Sequence, residues 1–153
     1  MSTDPAKVKS TFSAYTTKLQ SMAAEKIEKR LEEISYYATH TALQEGGLGG
    51  GVDTGAYVTS FSIGAAGFSG GRKRTSRNKP TKQDQAAKKE EGYNNLLSDI
   101  SGINIKQLLE AGKLKFTLRN RAPHARHVED GWPTKEGKRE GYHVFRKIRS
   151  KFR

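Results

Sequence analysis

The sequence predicts an α+β fold: a long N-terminal helix packed with a small, mainly antiparallel sheet and one or two shorter helices. Three observations carry this expectation. Apolar residues recur at steps of three and four from Val8 to Ala38, two later stretches alternate apolar with polar residues, and glycine clusters separate these elements.

The N-terminal element is the clearest. Val8, Phe12, Tyr15, Leu19, Met22, Ala23, Ile27, Leu31, Ile34 and Ala38 follow the spacing of an amphipathic helix. Asp4 is suited to the N-cap, and Pro5 needs no amide donor at the first helical position. The pattern extends to about Gln44, where the glycines between Gly46 and Gly51 end it. At ~1.5 Å per residue this helix is roughly 60 Å long. A body of this size cannot cover it, so part of it is expected to pack against neighbouring subunits. Its outer face carries mixed charges from Glu25 to Glu33, which reads as a solvated surface with local ion pairs. A coiled-coil dimer is the alternative, and the change of step near Met22 counts against a strict heptad.

Tyr57, Thr59, Phe61 and Ile63 alternate with smaller residues and predict a strand from about 56 to 64. Residues 64–81 are rich in Gly, Ser, Lys and Arg and read as a flexible basic loop. Residues 82–97 suit a polar helix, and Ile103, Leu108 and Leu109 a further helical stretch ending at Gly112. Leu114, Phe116 and Leu118 predict a half-buried strand. Ala122 to Gly131 reads as a turn entering a short helix, with Pro123 at its first position and Gly131 closing it. From Gly141 onward, Tyr142, Val144, Phe145, Ile148 and Phe152 fit a strand or an amphipathic helix equally well. The expected organisation is one domain over residues 1–153, with a flexible basic loop at about 64–92 and a basic C-terminal segment at about 134–153.

Only 33% of the 153 residues are hydrophobic and 29% are charged, so the core is small for the length. The net charge of +12 is concentrated: residues 72–89 carry +7, residues 134–153 carry +6, and everything else sums to −1. Such segments suit DNA phosphates or an acidic protein surface. The candidate contacts are Arg72, Lys73, Arg74, Arg77 and Lys79 in the first, and Arg146, Lys147, Arg149, Lys151 and Arg153 in the second. The absence of cysteine removes disulfides and thiolate metal sites. No segment has the length and apolarity of a membrane span or a signal peptide, which predicts a soluble protein made in the cytoplasm.

Little points to catalysis. Neither glycine-rich stretch supplies the Lys-Ser/Thr step of a phosphate loop or the dinucleotide spacing after a strand. His124 and His127 share a helical face with Glu129 nearby, but the helical zinc-hydrolase spacing is missing and Arg126 would repel a cation. No nucleophile or oxyanion feature accompanies them. No cofactor, no metal and no enzymatic activity are expected. Trp132, between Gly131 and Pro133, reads as a packing anchor, or as an interface hot spot.

Two segments together resemble a known family. Val52-Asp53-Thr54-Gly55-Ala56-Tyr57-Val58-Thr59-Ser60-Phe61 is similar to a motif of the tail-completion proteins of long-tailed phages, also called head–tail joining or neck proteins. The run Asn120 to Gly131, with His124-Ala125, then Val128, Glu129 and Gly131, resembles that family's second motif. His124 replaces the usual tyrosine and Asp130 a common hydrophobe. The resemblance implies a virion structural protein: an α+β subunit forming a sixfold or twelvefold homo-oligomeric ring between the portal or adaptor side and the tail. Its motif residues, Asp53, Thr54, Gly55, Tyr57, Phe61, His124, Ala125, Val128, Glu129 and Gly131, together with Trp132, would serve assembly. In physical terms Asp53 and Thr54 can brace a turn, Gly55 permits an unusual backbone angle, and Glu129 can pair with a basic group in the same or an adjacent subunit. The other expectation is a nucleic-acid-binding protein that uses the two basic segments without regard to base sequence.

Overall fold

A computed structural model describes residues 4–43, 55–73 and 82–153. The chain begins with helix α1 (Pro5–Tyr36), capped as expected: Asp4 Oδ1 accepts from the Ala6 amide at 3.0 Å, with Pro5 in the first turn. The helix continues through a wider π-helical turn, Tyr37–Thr41, closed by the Ala42 amide donating to the Tyr37 carbonyl at 2.9 Å. Polar residues buried in this part satisfy themselves locally. The Ser35 hydroxyl donates to the Leu31 carbonyl and the Thr39 hydroxyl to the Ser35 carbonyl, one turn back in each case.

The next described segment corrects the expected strand. Ala56–Thr59 form a helical turn, α2, and strand β1 spans Phe61–Ala65. Residues 56–63 are buried throughout, so their alternation does not mark one wet and one dry face. Gly55 decides the outcome: its φ of 73° turns the chain, and its carbonyl accepts from both the Thr59 amide and the Thr59 hydroxyl.

Helix α3 (Lys82–Ser101) is the expected polar helix, a few residues longer, and α4 (Ile105–Glu110) follows with Asn104 as its N-cap. Strand β2 (Phe116–Asn120) pairs antiparallel with β1, Phe61 opposite Asn120 and Ala65 opposite Phe116. Helix α5 (Ala125–Asp130) begins two residues after Pro123, not on it, and ends at Gly131. Trp132 then opens a hairpin of β3 (Trp132–Thr134) and β4 (Gly137–Arg139) where only a turn was expected. The undecided closing segment is a helix, α6 (Val144–Lys151).

The result is an α+β fold with a long N-terminal helix, two small antiparallel sheets and more short helices than the sequence suggested. Its core joins the C-terminal half of α1 to α3, β1 and α6 through Leu31, Leu43, Val58, Phe61, Leu96, Ile100, Val144 and Ile148. Among the described residues no helix is long and apolar enough to cross a membrane.

Helix α3 lies so close to α2 that a side chain cannot fit between them. A Cβ on Gly92 would stand 2.4 Å from the Val58 carbonyl oxygen. Gly92→Ala gains about 1 kcal/mol of helix propensity, yet the clash should make it a net loss of roughly 1–2 kcal/mol. Gly102→Ala, with ordinary contact distances, should be near neutral in the same urea titration.

Candidate functional site

The two segments that carry the family resemblance meet inside the molecule. Tyr57, on α2, is buried and reaches Glu129 on α5; its hydroxyl donates to Glu129 Oε1. The other carboxylate oxygen, Oε2, accepts from the Phe145 amide at 3.2 Å in the first turn of α6. Glu129 therefore pairs with a phenol and a helix N-terminus, and the expected basic partner is not what it meets. The position suits a carboxylate, because free amides and the helix dipole both favour negative charge there. His143, the residue before α6, has φ 51° and offers no side-chain cap, so Glu129 supplies one from a distant segment.

Further bonds close the junction. The Asn120 side-chain amide donates to the Tyr57 carbonyl at 2.7 Å, and its Oδ1 accepts from the Ala122 amide at 3.0 Å. The Tyr142 and His143 amides donate to the Val128 and Glu129 carbonyls at 2.7 and 3.2 Å. That approach requires Gly141, where a Cβ would lie 2.1 Å from the Glu129 carbonyl oxygen. Beneath these bonds the rings of Tyr57, Phe61 and Phe145 pack edge to face, with centroids 5.1 and 5.9 Å apart.

Of the expected motif residues, the fold thus brings Tyr57, Phe61, Val128 and Glu129 to one place. Gly55 stands at its edge, its Cα against the Lys88 stem. His124 is the residue before α5, Ala125 opens that helix and packs on the core, and Gly131 ends it with φ 83°. Trp132 pairs with Arg139 across the hairpin. Asp53 and Thr54 lie outside the described residues. Asn120, inside the second motif segment, and Phe145, in the closing segment, join the site without having been singled out. Their roles come from a backbone amide facing a residue 16 positions away and a side-chain amide facing one 63 positions away, which spacing does not reveal.

The expected basic contacts divide. Arg72 is not free: it forms a two-pronged pair with Asp99 on α3 at 2.6 and 2.7 Å, and its amide donates to Ser62. Asp99 also accepts from the Ile63 amide at 3.1 Å, so this cation anchors β1 to α3. Residues 82–92, expected within a flexible loop, belong to α3; Arg74, Arg77 and Lys79 lie outside the described residues, and Lys73 is exposed. On α6, Lys147 donates to the Ala42 carbonyl at 3.0 Å and Lys151 sits over the Tyr37 ring. Arg146, Arg149 and Arg153 are exposed to solvent.

His40 is used structurally. It stacks on Tyr36 with centroids 4.3 Å apart and meets the edge of Tyr93, and burial lowers its pKa in spite of nearby Glu90. Among the described residues no three His, Asp or Glu side chains form a group able to hold a metal. No family model, curated protein or solved structure matches this chain.

Burial, and then the neighbouring Glu129 charge, push the Tyr57 phenol well above its ordinary pKa of 10.0. In the unfolded chain that proton leaves near pH 10; in the folded chain it stays, so the folded state binds more protons above that point. The stabilisation is complete below pH 10 and is lost as pH rises further. Unfolding free energy should therefore fall more steeply between about pH 9 and 11 in the native chain than in Tyr57→Phe.

Proposed function

We propose that this protein is a structural subunit of the head–tail connector of a tailed phage, a neck or tail-completion protein working within a homo-oligomeric ring. The observation that carries the reading is the Tyr57–Glu129 bond. It joins the two segments whose sequences resemble the family's motifs, and it involves a residue from each. Motif residues far apart in sequence but interlocked in space have a shared reason to occur together in that order. The arrangement is a brace: its carboxylate is occupied by a phenol and a backbone amide.

In this reading the ring joins the portal or adaptor side to the tail, and the protein resides in the virion. The exposed cations Lys73, Arg146, Arg149 and Arg153 would face packaged DNA or an acidic neighbouring ring, whereas Arg72, Lys147 and Lys151 serve the subunit itself. The α6 surface also favours the second reading, a free nucleic-acid-binding protein. That reading requires tight binding by the isolated chain with a salt slope of roughly 0.9 per phosphate contacted.

Cryo-electron microscopy of purified particles tests the proposal directly. Density for this chain is expected at the portal–tail junction; density elsewhere in the particle, or none, contradicts it. A steep salt dependence of tight DNA binding by the isolated protein would favour the second reading instead.

A further inference from the structure

The N-terminal half of α1 stands clear of the body and carries an apolar stripe that the fold does not use. Val8, Leu19 and Met22 are about half exposed, Tyr15 is 63% exposed and Phe12 75%. At about 100° per residue these five side chains fall within roughly 80° of the helix circumference. The residues that face the core, Ala24, Ile27, Leu31 and Ser35, lie roughly 140° around the helix from them. The change of step near Met22 is therefore a change of face. One stripe ends, and a different one begins where the helix reaches the body.

The stripe has the spacing of a coiled-coil seam. Steps of four, three, four and three put Phe12 and Leu19 at a positions and Val8, Tyr15 and Met22 at d. The next positions in the series are Lys26 and Lys29, so the seam stops there. We infer that the exposed stripe of α1 is a self-association surface, on which the same helix of a second copy of this chain packs in parallel and in register.

The flanking charges select that occupant and that direction. In a parallel pair each g residue faces the e residue five positions on in its partner. Along the seam those pairs are Asp4 with Lys9, Thr11 with Thr16 and Lys18 with Ala23, one of them opposite in charge and none alike. Parallel helices are also what rotation about a single axis produces when the helices run along it. The stripe and its flanking charges belong to the helix itself, so self-association holds whether or not the ring is a phage connector.

The full-length chain provides the test, and its lack of cysteine simplifies it. Sedimentation should show concentration-dependent association, and Leu19→Cys should form a disulfide-linked dimer under mild oxidation. The double substitution Phe12→Asp, Leu19→Asp should abolish association and leave the core's chemical-shift pattern unchanged, because neither side chain touches the core. A native chain that is monomeric at every concentration overturns the inference, as does association that survives the double substitution. Cross-linking only between Phe12→Cys and Leu19→Cys chains, with none by Leu19→Cys alone, overturns the parallel register. Particle imaging that places the protein away from the portal–tail junction would remove the connector reading and leave this result standing.

Discussion

A carboxylate lying between three segments of chain, and partly withdrawn from water, has to be satisfied by each of them or it destabilises all three. Glu129 meets that constraint. One oxygen takes the Tyr57 hydroxyl, the other takes the Phe145 amide, and its own carbonyl receives the His143 amide. The position of α6 against the core follows from this arrangement, since the helix lacks a cap of its own. So does the packing of Tyr57, Phe61 and Phe145 into one aromatic group, and with it the fit of α2 between α3 and α5. In a chain only one-third hydrophobic, a few directional bonds must complete a fold that apolar burial leaves small.

The same shortage explains the distribution of charge. Cations that lie near the body are recruited as structure: Arg72 ties α3 to β1 through Asp99, and Lys147 ties α6 to the end of the π-helical turn. Among the described residues, Lys73, Arg146, Arg149 and Arg153 remain outward. The long helix makes the opposite trade. Its C-terminal half completes the core, and its N-terminal half holds apolar side chains exposed, the feature from which self-association is inferred.

Where periodicity alone decides structure, the sequence was legible. The Asp4 cap, the run of α1, the polar helix α3, the stop at Gly112 and the β2 strand follow from spacing and from residues with one conformational use. The β1 region misled because residues 56–63 are buried on all sides, so alternation there reflects composition and not a single buried face. The β3–β4 hairpin was missed because its strands are only three residues long, too short for a period to show. At the site, Tyr57, Phe61, Val128 and Glu129 were found through their motifs. The partner of Glu129 was misjudged, because a phenol and a backbone amide leave no charge signature in the sequence. The two faces of α1 were written in the step between Met22 and Ala23, but only the position of the body gives that step its meaning.

The brace between Tyr57 and Glu129 is best measured by a double-mutant cycle on unfolding free energy, using Tyr57→Phe, Glu129→Ala and the pair. A shared hydrogen bond to a charged group requires the two losses to be coupled by about 1–2 kcal/mol. Losses that add to within about 0.3 kcal/mol would mean that the two residues stabilise the fold independently, and Glu129 would then not be the junction that holds α2 and α5 together.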